Sequence, residues 1–136
     1  MRRLDEAELR AVGESLGREL PHGSVIALEG DLGAGKTTFA QAVVRGLGVR
    51  EQATSPTYGL VHRYDGRRGP VFHLDCYRLR QAEEAADLDW EGLLAEGDVL
   101  LVEWPERAGA WLPAPTRRFR FHHLPDGARR GLEEIA

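Results

Sequence analysis

The residues with the clearest chemical signature are a glycine-rich run that ends in a lysine and two hydroxyl side chains. Residues 30–37 read GDLGAGKT, with Thr38 directly after them, and fit the P-loop pattern G-x-x-x-x-G-K-[ST]. In such a loop the glycines let the backbone turn tightly and aim several N–H groups at one anion. The spacing predicts that Lys36 reaches the β- and γ-phosphates of a nucleotide and that the Thr37 hydroxyl ligates Mg²⁺.

Lys36 is also the only lysine in a chain with 18 lysine and arginine residues. Arginine carries a planar fork of donors, whereas lysine carries a compact charge that fits a narrow phosphate cradle. The chain uses arginine wherever a general cation suffices, so the composition favours a specific role for Lys36.

The segments on either side of this run have the periodicity that the motif requires. Val25–Leu28 is apolar and predicts a buried strand. Residues 37–47 predict a helix whose apolar face consists of Phe39, Val43, Val44 and Leu47. The positive end of that helix dipole adds to the attraction for an anion. A glycine-rich turn without a ligand is the alternative, and the order strand, loop, helix disfavours it.

Two carboxylates follow apolar runs elsewhere in the chain. Val71–Leu74 ends in Asp75, and Val99–Val102 ends in Glu103. The carboxyl ends of parallel strands meet beside a P-loop, so we expect both acids near the phosphates. There they could hold Mg²⁺, directly or through water, and orient a nucleophile. The alternative is that each acid ends its strand facing solvent.

Other chemically capable residues have weaker signals. His73 lies in an apolar run, which favours a packed, hydrogen-bonded histidine over a ligand. No pattern of His and Asn residues in the sequence indicates that Cys76 is a nucleophile, so we interpret it as a packing residue. Trp104 could pack in the core, on a nucleobase or on a partner. A group of C-terminal arginines indicates either a solvated hairpin face or a surface for phosphate, acidic protein or tRNA, and comprises Arg117, Arg118, Arg120, Arg129 and Arg130.

The remaining pattern defines the expected fold. Residues 5–20 predict an amphipathic helix with Asp5 as its cap and Glu8 at the capping-box position. Residues 60–64 and 71–74 predict an antiparallel hairpin around the loop 65–70. Short helices are expected within 80–97 and 105–111, and a strand over 118–122, with a weaker partner strand over 128–135. We therefore expect one α/β domain over residues 1–136, a three-layer P-loop fold with parallel central strands and antiparallel edge hairpins.

Bulk properties restrict the setting of this domain. A net charge of −4 argues against a protein that mainly coats nucleic acid. No apolar run approaches the roughly 20 residues of a membrane span. The N-terminus lacks an apolar signal core, and the chain has one cysteine, which suits a reducing compartment. These observations predict a cytoplasmic protein that does not contact a membrane.

Four blocks of sequence, in order, resemble the TsaE (YjeE) family. They are residues 30–38, then Ser55–Tyr58 (SPTY), His73–Arg78 (HLDCYR) and Leu101–Glu106 (LVEWPE). The resemblance covers residues 4–113, and the C-terminal segment fits the family pattern less well. Members are small bacterial P-loop ATPases needed to make threonylcarbamoyl-adenosine in tRNA, next to the anticodon.

This resemblance implies roles for individual residues. The phosphates of ATP would lie on residues Gly33, Ala34, Gly35, Lys36, Thr37 and Thr38. Thr37 and an acid would hold Mg²⁺. Glu103 is favoured as the ligand of the metal, and Asp75 would lie close to it and contact the metal directly or through water. Residues Ser55–Tyr58 would act as a switch loop. Glu6 and Arg129 would lie near the base and ribose.

The resemblance also implies partners, namely the TsaB–TsaD pair, with tRNA reached through that complex; a monomer is favoured for the chain itself. The predicted function is a partner-coupled ATPase with Lys36, Asp75 and Glu103 as catalytic residues. A small-molecule kinase uses the same parts and remains an alternative. A nucleotide-dependent scaffold without turnover is another alternative. GTP is disfavoured as the nucleotide because no N-K-x-D segment is present.

Overall fold

The computed structural model describes residues 1–50 and 61–135, with Arg78 described by its backbone only. Within these residues the chain forms one mixed sheet of seven strands with helices on both faces. The strands are β1 Arg2–Leu4, β2 Ser24–Glu29, β3 Val61–Gly66, β4 Gly69–Asp75, β5 Val99–Glu103, β6 Arg117–His123 and β7 Arg130–Ile135. The α-helices are α1 Glu6–Glu19, α2 Lys36–Gly46 and α3 Trp90–Glu96, and short 3₁₀ helices cover Cys76–Arg78, Ala82–Asp87, Pro105–Arg107 and Gly109–Trp111.

The strand order is β1-β7-β6-β2-β5-β4-β3. The central strands β6, β2, β5 and β4 are parallel, whereas the pairs β6–β7, β7–β1 and β4–β3 are antiparallel. This arrangement confirms the predicted parallel centre and antiparallel edges. The sequence did not predict β1, because three residues that include two arginines carry no strand signal without their partner β7.

Alternate residues of the central strands point to two separate cores, as the twofold period of a strand requires. In β5, Val99 and Leu101 pack on the side of α1 and α2, whereas Leu100 and Val102 pack on the side of α3 and the 3₁₀ segments. The sheet is therefore the middle of three layers. By the same period, Glu103 belongs to the face that α2 covers.

Helix α1 begins as the sequence predicts. The Asp5 carboxylate accepts a hydrogen bond from the Glu8 amide at 2.8 Å, and the Glu8 carboxylate accepts one from the Asp5 amide at 3.0 Å. This reciprocal pair satisfies two amides that the first helical turn leaves without partners, which confirms the capping box. Along its length α1 lies very close to α2: a Cβ added at Gly17 would come 2.3 Å from the Val43 carbonyl oxygen. The close packing fixes α2, and with it the loop that precedes α2, against the rest of the domain.

The hairpin of β3 and β4 forms as predicted, but its turn is shorter than the expected loop 65–70. Asp65 pairs with Pro70 and Gly66 pairs with Gly69, so only Arg67 and Arg68 remain in the turn. Gly69 follows the turn with a φ of +136°, a conformation that other residues avoid. The predicted position of the turn was wrong because the strand pairing extends to this glycine.

Strands β2, β5 and β4 end side by side. Leu28 at the end of β2 is paired with Glu103, and Glu103 is paired with Asp75. The glycine-rich run follows β2 directly, so this edge of the sheet brings both acids to it. In the described parts of the chain, no helix has the length and apolarity to cross a bilayer.

Candidate functional site

Residues 30–35 form a tight loop between β2 and α2 that depends on glycine. The φ angles are +140° at Gly30, +75° at Gly33 and +108° at Gly35, all in the region that side chains with a Cβ rarely adopt. At Gly30 an added Cβ would also come 2.7 Å from the Phe121 carbonyl oxygen. The loop leads directly into the first turn of α2, where backbone N–H groups lack intrahelical partners and favour an anion.

A cavity of about 380 Å³ opens over this loop. Its wall is built from the loop and the start of α2, the start of α1, the ends of β4 and β5, and the turn before β7. The residues are Glu6, Leu9, Leu32, Gly33, Gly35, Lys36, Thr37, Thr38, Asp75, Tyr77, Glu103, Trp104, Gly127, Ala128 and Arg130. Eight of the ten residues predicted to bind the nucleotide or Mg²⁺ or to act in catalysis are thus brought together here, namely Glu6, Gly33, Gly35, Lys36, Thr37, Thr38, Asp75 and Glu103.

The two other predicted binding residues, Ala34 and Arg129, do not line the cavity. Ala34 is 1% exposed and lies inside the loop, where its amide donates to the Asp31 carbonyl oxygen at 3.1 Å. Arg129 is exposed and is not among the residues that line the cavity. Its neighbour Arg130 lines the cavity instead. The predicted switch residues Ser55–Tyr58 lie outside the described residues.

Arg130 and His123, which the sequence did not assign to the site, hold the loop from the C-terminal hairpin. The Arg130 Nε donates to the Gly33 carbonyl oxygen at 3.1 Å, and the His123 Nε2 lies 2.8 Å from the Leu32 carbonyl oxygen. A donor pair of this kind fixes the direction of two successive peptide groups. No local sequence pattern predicts these two contacts, because β6 and β7 are far from the loop in sequence.

Lys36 is 4% exposed and directed back along the loop. Its ammonium donates to the carbonyl oxygens of Gly30 and, at 2.9 Å, of Asp31, and it lies 4.3 Å from the centroid of the Trp104 ring. Burial lowers the pKa of Lys36, and the carboxylate of Glu103 is the strongest of several acids that oppose this shift. A cation held in this way is poorly hydrated, so a phosphate would be a strong competitor for its donors.

The two predicted acids occupy different surroundings. Glu103 is 2% exposed: its Oε1 accepts from the Thr37 hydroxyl at 3.1 Å, and its Oε2 lies 2.5 Å from the His73 Nε2. Asp75 is partly exposed, and its Oδ1 accepts from the Tyr77 amide at 3.0 Å. Oxygen donors of this kind fit Mg²⁺, a hard cation that prefers carboxylates, hydroxyls and water. The expectation that His73 is packed and hydrogen-bonded is confirmed.

An aromatic wall closes one side of the cavity. The rings of Tyr77 and Trp104 lie 5.0 Å apart, and the Arg107 guanidinium lies 4.7 Å from the Tyr77 ring centroid. Trp104 has left-handed backbone angles, φ 56° and ψ 50°, which are strained for a residue with a large side chain. With this backbone conformation the indole ring lies beside the Lys36 ammonium.

Three of the C-terminal arginines are engaged with acids of the same sheet. Arg117 donates to Glu134 at 2.7 Å, and Arg118 donates to Glu29 at 3.0 Å. Arg120 lies 3.8 Å from Glu133. These pairs favour the solvated hairpin face over an open surface for phosphate.

Comparison with known proteins agrees with the geometry. The family described as "Threonylcarbamoyl adenosine biosynthesis protein TsaE" matches residues 4–131. A protein of Nostoc sp. named "tRNA threonylcarbamoyladenosine biosynthesis protein TsaE" is 42% identical over 106 residues, which are 76% of this chain and 65% of that protein, just under two thirds of its length. The protein of the same name from Treponema pallidum is 39% identical over 117 residues, which are 86% of both chains.

A solved structure shares the fold of this chain. The crystal structure of YdiB from Bacillus subtilis superposes with a TM-score of 0.77 at 28% identity, covering 99% of this chain and 83% of that one. The family match, the related sequences and the shared fold each span most of the chain. The chain therefore belongs to the TsaE family, which is involved in tRNA threonylcarbamoyladenosine biosynthesis.

Proposed function

We propose that the protein is a Mg²⁺-dependent ATPase that serves as an accessory component in tRNA threonylcarbamoyladenosine biosynthesis. The observation that carries this proposal is the meeting of three groups at one cavity. Lys36 lies in the glycine loop, the Thr37 hydroxyl is bonded to Glu103, and Asp75 stands beside them at the rim. Phosphoryl transfer requires a loop that binds the phosphates and, next to it, carboxylates that can bind the metal and orient the nucleophile.

Each residue would have a separate task in hydrolysis. The amides of the loop and of the first turn of α2 would bind the phosphates, and Lys36 would turn from the Gly30 and Asp31 carbonyls to them. Mg²⁺, when bound, neutralises charge that develops on the phosphates. Thr37 and the buried Glu103 would hold it. Asp75 would orient the attacking water, because it is the more exposed acid and its Oδ1 is fixed by the Tyr77 amide.

We further propose that hydrolysis is slow in the isolated protein and coupled to a TsaB–TsaD complex in the cytoplasm, with tRNA reached through that complex. The glycine loop and the paired acids support the proposed turnover. Membership of the family supports the proposed coupling.

The test is ATP hydrolysis with and without purified TsaB–TsaD, at fixed Mg²⁺, with Lys36→Ala as the blank. Arg45→Ala is a matched control, because Arg45 is a cation in the last turn of the same helix α2 and is exposed. We expect stimulation by the pair in the wild type and in Arg45→Ala, and none in Lys36→Ala.

Undiminished hydrolysis in Lys36→Ala would refute the assignment of the site. Tight ATP binding without turnover, even with TsaB–TsaD, would indicate a scaffold. Turnover that appears only with a small acceptor molecule would indicate a kinase.

A further inference from the structure

Among the residues that the structure describes, His73 is a buried polar side chain that contacts Glu103 and that the proposed mechanism leaves without a role. It is 1% exposed and does not line the cavity over the glycine loop. In β4 it precedes Asp75 by two residues and so shares a strand face with Asp75. In the neighbouring strand β5 its register partner is Leu101, two residues before Glu103. This offset lets the Glu103 side chain reach back across the two strands to the imidazole.

The bond between the two side chains is short and fully buried. His73 Nε2 lies 2.5 Å from Glu103 Oε2, while Glu103 Oε1 accepts from the Thr37 hydroxyl at 3.1 Å. A carboxylate only accepts hydrogen bonds, so the imidazole donates through an Nε2 proton. Both oxygens of Glu103 are therefore held, one by His73 of the neighbouring strand and one by Thr37 in the first turn of α2.

We propose that His73 is a positioning residue that fixes the Glu103 carboxylate beside Thr37 for Mg²⁺ bound with the nucleotide. The inference rests on the proposed function, because it assigns His73 a part in the metal site of that function. His73 acts only through Glu103, since its burial below the cavity keeps it from the nucleotide. Partners that orient a metal-binding side chain typically change metal affinity about 10- to 100-fold when they are removed.

Two amide substitutions separate positioning from packing. In His73→Gln the amide nitrogen can reach the place of Nε2 and donate to Glu103, whereas in His73→Asn the shorter side chain ends near the place of Nδ1. Both variants are neutral and polar, so they differ mainly in reach. His62→Asn is the matched control: His62 is the register partner of His73 in β3, and its Nδ1 lies 3.2 Å from the Tyr64 hydroxyl.

The measurements are binding of a fluorescent ATP analogue in EDTA, the Mg²⁺ concentration at half-saturation of the Mg²⁺-dependent binding, and the thermal unfolding midpoint. We expect His73→Asn to raise the Mg²⁺ half-saturation about 10- to 100-fold. His73→Gln and His62→Asn should stay within about threefold of the wild type. Metal-free nucleotide affinity should change less than about twofold in all three variants, since none of these residues lines the cavity.

Equal Mg²⁺ half-saturation in His73→Asn and His73→Gln would overturn the inference. So would a loss in His73→Asn that appears equally in EDTA, because that pattern indicates a packing defect. A wild-type protein that binds the nucleotide without any response to Mg²⁺ would overturn the proposed function itself, and this inference with it.

A further measurement needs no substitution of His73 and decides the question if His73→Asn does not fold. The proton on the His73 Nε2, followed by NMR in the wild-type protein with nucleotide bound, should shift when Mg²⁺ is added. The shift should be absent in Glu103→Gln. A wild-type signal that does not respond to Mg²⁺ while nucleotide binding does would refute positioning through Glu103.

Discussion

Replacing Arg130 by methionine tests the role of the C-terminal hairpin in nucleotide binding. In the structure the Arg130 Nε donates to the Gly33 carbonyl oxygen, and its Nη1 donates to the carbonyl oxygens of Gly127 and Arg129 at 3.1 and 3.2 Å. One side chain thus ties the turn before β7 to the glycine loop, and both line the same cavity. Methionine keeps much of the aliphatic length and removes the charge and every donor.

The expected loss has two parts. The hydrogen bond that orients the Gly33 peptide contributes about 0.5–1.5 kcal/mol. If the proposed nucleotide places its phosphates on the glycine loop, the Arg130 charge in the same cavity would contribute about 1 kcal/mol, because the site is open to water and the effective dielectric constant is high. Together these terms predict nucleotide binding roughly 10- to 70-fold weaker in Arg130→Met, since about 1.4 kcal/mol corresponds to a tenfold change in affinity. Arg130→Lys should recover the charge term alone.

The assay is the dissociation constant of a fluorescent ATP analogue with Mg²⁺ at two ionic strengths, because screening should weaken only the charge term. Arg129→Met is the control, since Arg129 is the adjacent arginine, is exposed and does not line the cavity. Urea unfolding shows whether each variant keeps its stability. An Arg129→Met variant that loses as much affinity as Arg130→Met would refute the reasoning and favour the family-based assignment of Arg129.

Three further predictions concern the loop, its lysine and the buried thiol. Gly30→Ala should lower the free energy of unfolding in urea by about 2–5 kcal/mol, because backbone strain and a clash with the Phe121 carbonyl add up. Gly127→Ala, with φ +69° and nothing within 4 Å of an added Cβ, should lose only about 1–2 kcal/mol. Burial lowers the pKa of Lys36 below its ordinary 10.5. Nucleotide affinity should therefore fall as pH rises through that lowered pKa, because binding to the neutral amine must take up a proton. Lys36→Arg should show no such decline. Burial raises the pKa of Cys76 from 9.0 to about 12, so a thiol reagent at pH 8 should modify it only after unfolding. The ionised thiol should also favour the unfolded state as pH rises from 9 towards 12.

The parts of the site that the sequence predicted are those with a local cause. The glycine loop, its flanking strand and helix, and the Asp5–Glu8 capping box each lie within a few residues of one another. Asp75 and Glu103 were found because each follows an apolar run, and parallel strands end at the same edge of a sheet. The P-loop pattern predicted a nucleotide, and the resemblance to a family added the expectation of ATP and of partner proteins, which no local pattern specifies.

The parts that the sequence missed depend on strand neighbours. Arg130 and His123 reach the carbonyls of the glycine loop only because β6 lies next to β2 and β7 lies next to β6. Strand β1 exists only through its pairing with β7. The turn at Arg67–Arg68 was misplaced because the register of β3 and β4 extends to Gly69, which an Asp-Gly pair does not reveal.

The difference between the two acids is also a property of the sheet rather than of the sequence. In the chain, Asp75 and Glu103 look equivalent, since each ends an apolar strand. In the fold, Glu103 is enclosed by the β4 imidazole on one side and the Thr37 hydroxyl on the other, whereas Asp75 faces the cavity with one oxygen held by the Tyr77 amide. A buried carboxylate that is held at both oxygens suits a fixed metal, because Mg²⁺ demands regular geometry. A partly exposed carboxylate suits a water molecule that must be replaced in every turnover, and this physical difference supports the proposed division of labour.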